Sequence, residues 1–226
     1  MTLFKIEPTK LKKDKIVGII IQARMTSKRF PGKSTAILNN RPVIEHVIKR
    51  CNLVTKTDKV ILAVPDSPLS EPMLKISDTN FIWNFLGSED NVLDRFYHAA
   101  MYHKLDIIVR ITGDCPFIIP QLIDECIELL MWRKLDYVSN CFPIRTYPKG
   151  LDCEVFTMDC LEAAHILATS HYDREHVTPF MQRSIEIKKG TLSQKVDDSE
   201  LNLCVDVPED IPRIEEHIKA MKRKMQ

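Results

Sequence analysis

A chain of 226 residues with 44% hydrophobic and 28% charged side chains has the balance of an ordinary globular protein and can bury one large core. Its formal net charge of +1 excludes a global field that recruits nucleic acid, and no run approaches the ~18 consecutive apolar residues of a membrane span. The seven cysteines form no CxxC pair and mostly fall in apolar patterns, so they read as free, small hydrophobes in a reducing cytoplasm.

The first 14 residues read as a polar leader; the stretch MTLFKIEPTKLKKDK has no apolar core of a signal peptide. Ile16–Ile21 is a β-branched run bounded by polar residues, which predicts a central, fully buried strand. The basic stretch Arg24, Lys28, Arg29 and Lys33 follows, with Pro31-Gly32 as a turn. Pro42 opens a helix whose apolar face is Val43, Ile44, Val47, Ile48 and Cys51. Lys59–Val64 predicts a strand. Residues 65–78, with three prolines, predict an irregular segment holding one short helix near Met73–Ile76. Phe81–Leu86 predicts a third strand. After the loop Gly87–Asn91 comes a helix with Val92, Leu93, Phe96, Tyr97, Ala100 and Met101 as its buried stripe.

Asp106–Ile111 predicts another buried strand, ending in the loop Thr112-Gly113-Asp114-Cys115-Pro116. A helix over 120–131 presents Leu122, Ile123, Cys126, Ile127 and Leu130, and Tyr137–Cys141 is strand-like. Strand and helix alternate up to this point, which predicts an α/β fold: a mostly parallel, open sheet flanked by helices. From 141 to 154 two prolines and a glycine predict a long loop, and the later elements predict a small antiparallel excursion rather than a second domain. They are helices at Asp159–Ala168 and Arg174–Met181, short strands at Ser184–Lys188 and Asn202–Val205, and a last helix from Pro208.

Two places can carry chemistry. Ligands of open α/β sheets bind at the carboxyl ends of strands. On composition alone the basic loop is either solvated or an anion site; its position directly after a buried strand favours a phosphate site formed by Arg24, Arg29 and Lys33. It matches neither GxxxxGK[ST] nor GxGxxG. Asp114, also at a strand end, either makes an Asx turn or holds Mg²⁺ beside phosphate oxygens. Asp206 follows Leu203-Cys204-Val205 in the same way, so the two aspartates share one metal if they lie on the same sheet edge. Lys149, Asp152, Glu154, Arg174, Glu175 and His176 suit an acceptor bearing carboxylate, phosphate or hydroxyl groups. The remaining histidines fit helix faces or ends. No HExxH, GxSxG or activated-cysteine motif is present.

The motifs QAR…SKRFPGK (Gln22–Lys33), GSEDNVLDRF (Gly87–Phe96), RITGDCP (Arg110–Pro116), YVSN (Tyr137–Asn140), YPKGLDCE (Tyr147–Glu154), REHVTP (Arg174–Pro179) and DVPED (Asp206–Asp210) stand in the chain in that order. Together they resemble the cytidylyltransferases of the SpsF type, grouped with spore coat polysaccharide biosynthesis, and more distantly the CMP-Kdo and CMP-sialate synthetases. The resemblance spans residues 16–220. Thr26 and Phe30 depart from the glycine and leucine usual in the loop, and the prolines of 63–78 stand where relatives have a regular helix.

The resemblance implies the nucleotide-diphospho-sugar transferase fold (Rossmann-like, GT-A-like) and transfer of CMP from CTP to an acidic or phosphorylated sugar-like acceptor, with release of pyrophosphate, in surface polysaccharide or glycoconjugate synthesis. It implies Arg24, Arg29 and Lys33 on the triphosphate, backbone groups of Gln22 and Ala23 on the base, Asp94 and Arg95 on the nucleotide side, and Asp114 and Asp206 on Mg²⁺. It also implies Lys149, Asp152, Glu154, Arg174 and His176 on the acceptor, and a homodimer contacting through residues after 140. Two alternatives remain: the same fold using another nucleoside triphosphate with a sugar 1-phosphate, and a non-catalytic nucleotide-binding protein.

Overall fold

The computed structural model describes residues 15–224, so the predicted leader, 1–14, lies outside the described residues. In chain order the elements are β1 (Val17–Gln22), β2 (Ile37–Leu38), β3 (Arg41–Pro42), α1 (Val43–Cys51), β4 (Lys59–Pro65), α2 (Glu71–Thr79), β5 (Trp83–Gly87), α3 (Val92–Tyr102), β6 (Ile107–Thr112), α4 (Pro120–Arg133), β7 (Tyr137–Ser139), β8 (Glu154–Thr157), α5 (Met158–Leu167), α6 (His171–His176), α7 (Pro179–Arg183), β9 (Lys189–Thr191) and α8 (Asp210–Lys224).

Seven strands form one sheet in the order β5-β4-β1-β6-β8-β7-β9, and β2 and β3 form a separate antiparallel pair. The large sheet is parallel except at β8, which runs against both β6 and β7. The carboxyl ends of β1, β4, β5 and β6 therefore share one edge. Because β8 is reversed, its first residue, Glu154, lies at that same edge, in register with Arg110 and Ser139.

β1 is apolar throughout because both faces of the sheet are covered. Ile19 and Ile21 pack with Ile44, Val47 and Ile48 of α1 and with Ile123 and Ile127 of α4. Ile20 points the other way and packs with Leu93 and Phe96 of α3 and Leu161 of α5. All three isoleucines have zero exposure, each contributing about 1.5–3 kcal/mol by burial. The predicted faces of α1 and α4 are buried as expected. On α3 the buried stripe is Val92, Leu93, Phe96, Ala99 and Ala100; Tyr97 is half-buried and Met101 is exposed, on the flank of the stripe. Six of the seven cysteines are buried as free thiols.

Several boundaries differ from the sequence expectation. Residues 71–79 form a regular helix: Pro72 stands in its first turn and Pro68 in the 3₁₀ turn before it, capped by Ser67, and at such positions the missing N–H costs nothing. The third strand is 83–87. The loop expected to run through 154 gives way there to β8. The single helix expected at 174–181 is two short ones, broken where Val177 takes a φ of 71° and Pro179 restricts the residue before it. The strand expected at 184–188 begins at Lys189, and 202–205 contributes only a bridge from Asn202 to Lys149. Among the described residues no helix is long and apolar enough to cross a membrane.

Candidate active site

A cleft of about 510 Å³ opens at the carboxyl edge of the sheet, a size suited to a nucleotide. Its floor is the end of β1 and β6, where Gln22 and Thr112 are in register. Its walls are the basic loop, the start of α3 and the end of α6.

The basic loop is closed by the Gly32 N–H donating to the Met25 carbonyl, 2.8 Å, before a 3₁₀ turn at Lys33–Thr35 that aims Lys33 back at the sheet. The Lys33 ammonium donates to Asp114 Oδ2 at 2.5 Å and to Asp206 Oδ1 at 3.2 Å. Arg29 meets the same Asp206 oxygen at 3.0 Å, and Lys149 meets the other at 3.1 Å. Burial works against the Lys33 charge, but the two carboxylates outweigh it and hold its pKa above the ordinary 10.5. Burial likewise opposes the charge on Asp206, and Lys149 and Lys33 outweigh it, so its pKa lies below 3.8.

Backbone packing brings the two aspartates together. Gly113 donates to the Gln22 carbonyl at 2.8 Å and leaves no room for a side chain: a Cβ there would lie 2.9 Å from Ala23 Cβ and 2.8 Å from Ile44 Cδ1. That close crossing sets the next residue, Asp114, over the end of β1. The Asp114 carbonyl then accepts from the Val205 N–H at 3.0 Å, one residue before Asp206. From the other side Gly150, at φ 100°, lies against the backbone of Leu203 and Cys204, and Lys149 bonds to Leu201 and Leu203. Asp210 fixes the turn by accepting from the N–H groups of Asp206 and Val207 at 2.7 and 2.9 Å.

A match to the family model described as "Cytidylyltransferase" runs through this whole framework, over residues 18–224. The chain belongs to that cytidylyltransferase family. It is accordingly a CTP-dependent nucleotidyltransferase. Among relatives, the spore coat polysaccharide biosynthesis protein SpsF of Bacillus subtilis is 29% identical over 91% of this chain and 85% of its own length. The 3-deoxy-manno-octulosonate cytidylyltransferase of Pelobacter propionicus is 33% identical over 51% of this chain, which covers 44% of that enzyme. A solved cytidylyltransferase structure from Leptospira borgpetersenii superposes with a TM-score of 0.87 at 30% identity, covering 91% of this chain and 87% of that one.

In this cytidylyltransferase Gln22, Ala23, Arg24, Arg29, Lys33, Arg95, Asp114 and His176 all line the cleft. Of the backbone groups expected to read the base, the Gln22 carbonyl accepts from Gly113 and the Ala23 N–H donates to the Ala63 carbonyl at 3.3 Å. Arg95 is 2% exposed; its guanidinium donates to the Ser88 carbonyl at 2.5 Å, while its Nε–H has no partner. Burial and the neighbouring charge of Arg24 push its pKa down to about 10.

Other predicted residues sit elsewhere. Asp94 is not among the residues lining the cleft: its carboxylate meets His165 and His98. Asp152 is paired with Arg145, and Arg174 lies off the cleft wall. Glu154 is 3% exposed and turned inward, ion-paired with Arg110 and accepting from Tyr137 at 2.5 Å and Gln182 at 3.1 Å. Arg110 in turn donates to Gln22 Oε1 at 3.0 Å and lines the cleft. The wall residue Arg110 was not singled out from sequence. Arg110 had a signal, a charge inside the apolar strand DIIVRI. Glu175, grouped by sequence with Arg174 and His176, faces Arg24 across the cleft at 3.5 Å.

Proposed function

We propose that this enzyme transfers CMP from CTP to an acidic or phosphorylated sugar-like acceptor and releases pyrophosphate, in the synthesis of surface polysaccharide or glycoconjugate precursors. The observation that carries this reading is the meeting of Asp114 and Asp206 at Lys33, on the rim of a cleft lined by Arg24, Arg29 and Arg95. Arg95 adds a further cation to that lining. The names of the two curated relatives, one a polysaccharide biosynthesis protein and one a cytidylyltransferase of a sugar acid, support the acceptor class.

An acceptor oxygen attacks the α-phosphorus in line. The new oxygen–phosphorus bond forms as the bond to the bridging oxygen breaks, and its electron pair leaves on pyrophosphate. Arg24, Arg29 and Lys33 stabilise charge on the triphosphate, and positioning supplies most of the remainder. An ionised carboxylate or phosphate on the acceptor needs no general base. The hard oxygen donors Asp114 and Asp206, already sharing one cation, fit Mg²⁺, which supplies charge neutralisation beside the phosphates when bound. Lys149, beside Asp206, and His176, on the cleft wall, are the acceptor-side groups best placed to act.

Pyrophosphate release with CTP and a panel of sugar acids and sugar phosphates, with mass detection of a CMP-linked product, tests the reading. No turnover across the panel together with no Mg²⁺-dependent CTP binding overturns it. The same reading includes a cytoplasmic homodimer formed through residues after 140, supported by the exposed apolar side chains Ile144, Ile166, Leu167 and Ile185. Sedimentation showing a concentration-independent monomer ends that part.

A further inference from the structure

We propose that Asp94, His98 and His165 form a second metal site, distinct from the cleft, that takes a borderline divalent transition metal such as Zn²⁺ and fastens α3 to α5. His165 Nε2 lies 2.9 Å from Asp94 Oδ1, and His98 Nε2 lies 3.4 Å from that same oxygen. One ligand atom from each of the three residues falls within 4.8 Å of the other two. Zinc bonds of about 2.0–2.2 Å to nitrogen and oxygen place neighbouring ligand atoms about 3.3–3.5 Å apart in a tetrahedron, so modest side-chain rotations complete the set.

The local build favours a site over a chance contact. Asp94 and His98 stand one turn apart on α3, which puts both side chains on one helix face. His165 comes from the facing helix α5. The Tyr97 ring lies flat on His165, with centroids 4.1 Å apart and planes 6° apart, so the imidazole is held in plane with its Nε2 toward Asp94. Tyr97 is itself tied to α5 through Glu162 at 3.3 Å. The cluster is open enough for entry, and for water to complete the coordination: the side chains of Asp94, His98 and His165 are 32%, 55% and 22% exposed.

Ligand chemistry separates this site from the cleft. Two neutral imidazoles and a carboxylate suit Zn²⁺, Ni²⁺ or Co²⁺, whereas Mg²⁺ prefers the all-oxygen pair Asp114 and Asp206. A metal here joins α3 to α5, two helices far apart in sequence, and stabilises the folded chain by mass action. It also fixes the helical turn that carries Arg95 into the cleft.

The test is titration of the full-length protein with Zn²⁺ by calorimetry, and with Co²⁺ by visible absorption, both in excess Mg²⁺ so that the oxygen site is filled. The expected result is one tight equivalent, a d–d spectrum of low-coordinate Co²⁺ and a raised melting temperature with Zn²⁺. His98→Ala, at a position more than half exposed and therefore safe for folding, weakens Zn²⁺ binding by about tenfold or more, as does His165→Ala. Asp206→Asn leaves this binding unchanged, which separates it from the catalytic site. No Zn²⁺ binding in excess Mg²⁺, or unchanged affinity in His98→Ala, overturns the proposal; either outcome leaves the CTP reaction untouched.

Discussion

The carboxylates of Asp114 and Asp206, far apart in sequence, meet at one ammonium: Lys33 Nζ lies 2.5 Å from the first and 3.2 Å from the second. The chain thereby assembles a compact charge cluster in which two anions are balanced by Lys33, Arg29 and Lys149. That cluster makes each member's removal predictable.

Lys33→Met leaves Asp114 without its ammonium partner and removes a cation from the phosphate site. We expect kcat/KM for pyrophosphate release to fall by about 10²–10³-fold, the usual cost of one preorganised donor. A loss confined to KM would instead assign Lys33 to ground-state binding alone.

Asp114→Asn and Asp206→Asn each keep shape and remove charge. Turnover should drop below detection for either, with an unchanged circular dichroism spectrum. Full activity in Asp114→Asn would falsify its metal role.

Stability of the cluster depends on pH with a definite sign. The folded pKa of Asp206 lies below 3.8, so its contribution is complete above that value and is lost as pH falls through the depressed folded value. Lys33 titrates above 10.5, so its contribution is complete below that value and is lost as pH rises further. The difference in unfolding free energy between wild type and Lys33→Met should be flat between these limits and shrink beyond each. Urea melts across the range measure it.

Glu154→Ala leaves the Arg110 guanidinium without its carboxylate beside an apolar core. Breaking a buried pair of this kind costs about 3–5 kcal/mol, seen as a lower urea midpoint. Because Arg110 also holds the Gln22 side chain, KM for CTP should rise in Glu154→Gln, which keeps the shape but not the charge.

Gly150→Ala tests how the two aspartates are joined. A Cβ at φ 100° would lie 2.8 Å from the Leu203 carbonyl carbon. We expect a loss of about 1–3 kcal/mol and a fall in activity larger than the unfolded fraction explains, because the 203–206 segment is pushed from Asp114.

The buried strands, the alternation of strand and helix, the basic loop at the end of β1 and the two strand-end aspartates are all legible in the amino-acid pattern. These are local: β-branched runs, helical periodicity and turn residues act over a few neighbours. The prolines of 65–78 misled because proline disrupts a helix interior but suits its first turn, and composition does not say which position it holds. Tertiary structure alone decided which charges face the cleft. Reversal of β8 brings Glu154 to the active edge but turns it inward onto Arg110. Packing of α3 on α5 draws Asp94 to His165, while the next residue, Arg95, points to the cleft. Asp114 and Asp206 meet because two glycines permit backbone contacts that no local pattern encodes. Adjacent side chains on a helix diverge by about 100°, so which of two neighbours reaches a site is set by the partner that the helix packs against.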